Sequence, residues 1–204
     1  MIETRTLGKL SWVDMASPTA DEIHEIMDTY HLHPLVADEL RLPTLKPHVE
    51  QFGDLLFLIL HFPVLKHSHT EKNQEVDFVL GKNFLITARY DTVDPLHKFG
   101  KEFDVEALLA SSREGPPHAG HLFFYLLKKL YRAVGHELAY LADEIQLIED
   151  NIFEGNEQAM VIELSNMSRH LLDFKQALAP HREILESFKE VSLTLYGHEF
   201  APYS

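Results

Sequence analysis

Residues His31–Glu50 read HLHPLVADELRLPTLKPHVE. The stretch carries three His, three Pro and the three acids Asp38, Glu39 and Glu50 on an apolar skeleton. Pro34–Leu40 reads as a short helix. Pro43 stops that helix. Val49–Gln51 then begins a strand. A plain connector between helix and strand needs less punctuation and fewer ligand-bearing side chains. Asp38 and Glu39 put two adjacent carboxylates at a helix end, and hard cations take oxygen ligands.

Working outward, the flanking chain alternates short strand and helix signals. Upstream, Leu10–Asp14 is a brief apolar stretch. Ser17-Pro18 supplies an N-cap and an N1 proline for a helix Thr19–Tyr30, with Asp21 and Glu22 in its first turn. Downstream, Leu55–Phe62, Glu75–Leu80 and Phe84–Arg89 read as strands. Gly81-Lys82-Asn83 joins the last two as a hairpin turn. Helical material starts at Asp94-Pro95 and continues through Phe103 to Ala110. The loop Ser111–His118, with Gly115-Pro116-Pro117, is the best boundary in the chain and separates a front domain, 1–118, from a back part, 119–204.

The back part has a different rhythm. Phe124, Leu127, Tyr131, Val134, Leu138, Leu141, Ile145, Ile148 and Ile152 follow a 3-4 alternation. A second series runs Met160, Leu164, Met167, Leu171, Phe174, Leu178, His181, Leu185 and Phe188. Such spacing gathers the apolar residues on one seam. Gly155 suits a helix C′ position and Asn156 an N-cap, so the two helices fold back as an antiparallel hairpin. At about 1.5 Å per residue the first helix is about 45–50 Å long, which makes it an arm that projects or packs along a larger assembly. Pro180 is expected to kink or break the second helix. Between Arg132 and Arg169 there is no Lys or Arg, while Glu137, Asp143, Glu144, Glu149, Asp150, Glu154, Glu157 and Glu163 fall in the same interval. This is either a solvated acidic face or a fixed negative potential that gathers cations.

Composition narrows the function. The 204 residues carry a net charge of −14, which disfavours a surface that tracks phosphates and so excludes nucleic acid as an expected partner. With no Cys, disulfides, thiolate zinc sites and Cys nucleophiles are ruled out. The longest apolar run is Leu55–Leu60, far short of the roughly 18 residues a spanning helix needs, and the N-terminus lacks an apolar signal core. The sequence as given is therefore expected to be soluble. No G-x-S-x-G, P-loop or G-x-G-x-x-G is present, and no nucleophile sits in a recognisable frame, so an enzyme is not expected.

Two sets of residues are candidates for metal. His67-x-His69, with His61 upstream, offers imidazoles that suit a transition ion, the plainer reading being solvated loop histidines. Asp38-Glu39 offers carboxylates, the plainer reading being two solvated acids. Adjacent side chains on a helix point about 100° apart, so both seldom bind one ion within a single chain, and one of them can reach across a subunit boundary instead. Glu50 and Asp54 flank a strand turn and are expected to face water. His181, alone on the apolar seam, reads as a core residue rather than a ligand.

At these residues the chain resembles the CorA family of divalent-cation transporters for magnesium and cobalt, which includes a ZntB-type zinc branch. Leu32-His33-Pro34-Leu35-Val36, then Asp38-Glu39, then Pro47-x-Val49-Glu50 are similar to the family pattern IHPLVLEDI…RPKVE. Trp12-Val13-Asp14 followed by Pro18-Thr19-x-x-Glu22 is similar to its opening, W-I-D…PT-x-x-E. The run from Phe78 to Thr87 is similar to its central hairpin, and Leu178–Leu185 resembles its WPLREVL element. The resemblance implies an α/β fold: an αβα sandwich with a central mixed sheet, followed by paired acidic helices as a long antiparallel hairpin. It implies a domain on the cytoplasmic side of the membrane in a homopentamer closed by metal between neighbours. A stalk helix, two membrane helices and a Gly-Met-Asn pore signature would lie beyond the sequence given. The family's regulatory acid maps onto Glu39, with Asp38 beside it, and the implied ion is Mg²⁺, with Co²⁺ or Zn²⁺ as alternatives. Lys128 falls near a family acid of a second site, where a cation opposes metal binding. Outside transport, the residues also fit a scaffold whose helical hairpin takes a partner helix.

Overall fold

The computed structural model describes residues 1–44, 46–63, 73–91, 93–109, 118–153 and 157–203. Six strands form one mixed sheet: β1 (Ile2–Leu7), β2 (Leu10–Ala16), β3 (His48–Phe52), β4 (Leu55–Pro63), β5 (Asn73–Leu80) and β6 (Phe84–Arg89), in the order β1-β2-β6-β5-β4-β3. Neighbours run antiparallel except β2 and β6, which pair in parallel with Asp14 opposite Thr87. A parallel pair needs a crossover, and the chain from α1 to β5 provides it. β1 escapes a reading by apolar pattern because it is an edge strand, IETRTL, whose Glu3, Thr4 and Thr6 face water while Arg5 lies over Trp12.

Helices α1 (Ala20–Tyr30) and α2 (Pro34–Glu39) cover one face of the sheet, burying Ile23, Ile26, Val36 and Leu40 against Val13, Met15, Phe57, Ile59 and Ile86. The N-cap of α1 is Thr19, not Ser17. Thr19 and Glu22 form a capping box: Glu22 N–H donates to Thr19 Oγ1 at 3.3 Å, and Thr19 N–H donates to Glu22 Oε2 at 2.8 Å. These bonds hold the Glu22 carboxyl below its ordinary pKa, the backbone bond from Thr19 being the main cause.

The other face is covered by α3 (Asp94–Leu109), α4 (Ala119–Phe153), α5 (Glu157–Leu178) and α6 (His181–Tyr196). The architecture is thus an αβα sandwich with a helical hairpin extending from it. One buried cluster runs without interruption from Trp12, Phe62 and Phe78 in the sheet to Phe123 and Leu130 of α4, then to Phe174 of α5 and Phe188 of α6. Pro180 breaks rather than kinks the second long helix, since α5 ends at Leu178 and α6 begins at His181. The turn at Gly155-Asn156 lies outside the described residues. Among the described residues no helix is long and apolar enough to cross a membrane.

The seam of α4 differs from its sequence reading by a rotation. Near the sheet the buried residues are Leu122, Phe123, Leu126 and Leu130, one position out of step with Phe124, Leu127 and Tyr131. The reason is that this half of α4 packs on the sheet and α6 as well as α5, and a wider apolar arc is covered. Further along, among the described residues, α5 is the element that covers α4. Leu141 and Ile148 stay buried there, while Leu138 is 40% and Leu164 46% exposed. A helix with one partner buries a narrow stripe.

Candidate functional site

The site starts with the cap of α2. Leu35 N–H donates to His33 Nδ1 at 3.3 Å, Pro34 occupies the first turn, and the His33 ring stacks on Phe52 at 4.9 Å. Val36, Ala37 and Leu40 face the core. With one side of the helix committed inward, Asp38 and Glu39 are delivered in different directions. The Asp38 side chain is 76% exposed and pairs with Arg41 at 3.4 Å. Glu39 is 35% exposed and turns toward β3, its Oε2 lying 3.4 Å from His48 Nε2. The two groups are in contact but are not aligned as a hydrogen bond. Glu39 Oε2 is shut off from solvent and has no hydrogen-bond partner. His48 Nδ1, 3.1 Å from the Lys46 carbonyl, is the donor of that bond because a carbonyl only accepts.

Beneath Glu39 the same sheet face carries charge where a core is expected. On β5, Glu75 stands opposite His61 of β4 and Asp77 opposite Ile59. Glu75 accepts the Thr44 N–H through both oxygens, at 2.9 and 2.8 Å, and meets His61 Nε2 at 2.9 Å. Asp77 is fully buried; its Oδ2 accepts from Tyr90 Oη at 2.9 Å, and its Oδ1 has no donor. Burial, first, and then the charge of the adjacent Glu75 push the Asp77 carboxyl well above its ordinary value, with a further contribution from Glu39. Two carboxylates have no hydrogen to share, so Asp77 and Glu75 form a hydrogen bond only when one holds a proton, and the drier Asp77 is that one. Burial and the Asp77 charge likewise push the Tyr90 phenol up, keeping it a donor.

His61 links the two faces of the sheet. Its imidazole meets Glu75 on one face, while on the other its carbonyl accepts from His181 Nε2 at 2.8 Å. Burial pushes the His181 pKa down. The neutral ring donates from Nε2, so its Nδ1 accepts from Tyr131 Oη at 2.6 Å. His181 is a buried core residue, as its place on the seam implied. Burial also pushes the Tyr131 phenol up, to about 12.

The other candidate positions divide plainly. His67 and His69 lie outside the described residues. Glu50 and Asp54 are exposed, as is Lys128 on α4. His118 stacks on Tyr196 at 4.3 Å, and burial pushes its pKa down to about 4. Along the hairpin Asp143, Glu149, Asp150 and Glu163 face solvent. Among the described residues no three His, Asp or Glu side chains converge to hold a metal within one chain. Sequence reasoning read Glu75–Leu80 as a strand but gave Glu75 and Asp77 no role. The available signal was two acids at alternate positions on the strand Asn73–Leu80, which lies between β6 and β4.

The model of CorA-like Mg²⁺ transporter proteins matches residues 8–202. The cobalt/magnesium transport protein CorA of Thermotoga maritima is 24% identical over 198 residues, covering 95% of this chain and 54% of that protein. Among solved structures, the soluble domain of CorA from Methanocaldococcus jannaschii aligns with a TM-score of 0.78 at 19% identity, over 96% of this chain and 76% of that one. The cytoplasmic domain of ZntB from Vibrio parahaemolyticus aligns with a TM-score of 0.69 at 14% identity, over 94% of this chain and 75% of that one. The two structures share the fold. The chain spans about half the length of the curated relatives it matches. With a family match over nearly its whole length, and the helix cap, sheet order and helical layers on which the motifs sit, the chain belongs to the family of CorA-like Mg²⁺ transporter proteins.

Proposed function

We propose that this chain is the metal-sensing domain of a CorA-like divalent-cation transporter, on the cytoplasmic face of the membrane, acting as one copy in a homopentamer whose membrane-spanning part belongs to the same polypeptide. In this reading a divalent cation bound between neighbouring subunits at Glu39, with Asp38 beside it, holds the assembly shut, and loss of the cation frees it. The observation that carries the reading is the Glu39 carboxylate: Oε2 is buried beside His48, the side chain as a whole stays 35% exposed, and the neighbouring acid, Asp38, points elsewhere. A single partly exposed carboxylate supplies only part of a coordination shell, and a second subunit is the natural source of the rest. Mg²⁺ suits such a site because it keeps several waters and takes one or two carboxylates. Co²⁺ and Zn²⁺ are the alternatives, and for Zn²⁺ the pair His67 and His69 would add ligands.

In the full-length protein, Glu39→Ala is expected to raise the Mg²⁺ concentration that gives half-maximal protection against proteolysis by about tenfold or more, the scale on which loss of a metal-supporting group acts. Titrations with Co²⁺ and Zn²⁺ in the same assay rank the ions. An unchanged Mg²⁺ midpoint in Glu39→Ala would sink the reading.

A further inference from the structure

Glu39 needs a fixed place to serve as half of a shared site, and the six-residue helix that carries it, α2, is too short to be rigid alone. Its N-terminal end is held by the His33 cap, and Leu40 anchors the other end in the core. The chain then leaves through Arg41, Leu42 and Pro43. The next backbone donor, Thr44 N–H, goes to neither water nor a carbonyl. It goes to the Glu75 carboxylate, through both oxygens, at 2.9 and 2.8 Å.

We infer that Glu75 is a positioning residue for Glu39: by clamping Thr44 to the sheet it fixes the exit of α2 and so the place of the Glu39 carboxylate. The inference rests on the reading of Glu39 as a cation ligand. Three features make Glu75 suited to the task. Its backbone is paired with His61 of β4, one residue before the β5–β6 ladder begins with Val76 opposite Arg89. Its side chain is 6% exposed, so water competes poorly for its oxygens. Its remaining contact, His61 Nε2 at 2.9 Å, belongs to the residue whose carbonyl receives His181 from α6. Glu75 is thus held from β4 while it holds Thr44.

The test uses the full-length protein with Glu75→Ala and Glu75→Gln beside Glu39→Ala. Hydrogen exchange is followed on the peptide spanning residues 40–47, and the Mg²⁺ midpoint of proteolytic protection is measured in parallel. Glu75→Ala is expected to speed exchange in that peptide about tenfold and to raise the Mg²⁺ midpoint about tenfold, as loss of a residue supporting a metal ligand does. Glu75→Gln keeps an oxygen for Thr44 N–H and is expected to recover most of both. A merely structural role would instead lower the thermal midpoint and speed exchange across the whole sheet, leaving the Mg²⁺ midpoint of the surviving folded protein where it was. Unchanged exchange at 40–47 in Glu75→Ala overturns the clamp. A Mg²⁺ midpoint moved by Glu39→Ala but not by Glu75→Ala overturns the positioning role. A midpoint moved by neither variant overturns the reading of Glu39 itself and the positioning role with it.

Discussion

Arg89→Ala is expected to destabilise the domain by about 3–5 kcal/mol, the usual cost of leaving one half of a buried ion pair behind. The charge left behind is Asp14. Its side chain is 5% exposed, and its Oδ2 accepts from Arg89 Nη2 at 3.1 Å and from Arg89 Nε at 3.3 Å. Its Oδ1 accepts from Thr87 Oγ1 at 2.8 Å, and that hydroxyl accepts in turn from Trp12 Nε1 at 3.1 Å. The four residues stitch the parallel pair β2–β6, where Asp14 stands opposite Thr87 and Ala16 opposite Arg89. Removing the guanidinium takes two donors from a carboxylate that has no route to water, and Trp12 and Thr87 cannot supply them. Arg89→Lys restores the charge without the paired N–H groups and is expected to recover only part of the loss. Urea denaturation at neutral pH measures both variants. A loss below about 1 kcal/mol for Arg89→Ala, the level of an exposed pair, would show that Asp14 finds water and that the network is not a closed one.

The opposite sign is expected for Asp77→Asn, which should stabilise the fold at neutral pH by about 1–3 kcal/mol, the cost of leaving the buried pair without the hydrogen bond that the Asp77 proton supplies. The folded-state pKa of Asp77 is raised well above its ordinary 3.8, mainly by burial and then by Glu75. A raised folded pKa means that the native state holds a proton the unfolded chain gives up. The contribution of that proton is fully present below about pH 4, near the unfolded carboxylate value, and is lost as pH rises toward and through the folded value. Asparagine does not titrate. Its amide donates toward Glu75, as the protonated acid does, and its carbonyl accepts from Tyr90. The advantage of the variant over the native chain should therefore grow between pH 4 and pH 8, as read by denaturation at a series of pH values. Equal stability of the two proteins at every pH would mean that Asp77 ionises without cost.

Much of the fold was legible because it depends on local rules. The short helix opening at Pro34 and stopped by Pro43 was read from proline placement, while the His33 cap and the burial of Val36 came only with the structure. Pro180 lacks the donor a continuous helix needs, so a break there was foreseeable. The hairpin alternation placed α4 and α5 against one another but did not set the rotation of α4, which responds to what covers it. The N-cap of α1 was missed by two residues because Ser17, with φ 44, turns the chain, while Thr19 has the Glu three residues on that completes a capping box.

For the candidate site, the adjacency of Asp38 and Glu39 was enough to show that the two carboxylates point apart. Which of them faces the sheet was decided by Val36, Ala37 and Leu40, whose burial sets the helix rotation. Glu75 and Asp77 show the limit most clearly. A strand's period of two separates its residues into two faces, but it does not say whether the second face meets water or another layer. Here α2 and its exit cover that second face. Two acids that alternation alone assigns to solvent become a protonated buried carboxyl and a clamp on the chain that carries Glu39. Residue order determined the elements, their caps and the family. Only the packing of the second helical layer decided which charges stay dry, because burial is a property of what lies opposite a residue and not of its neighbours in the chain.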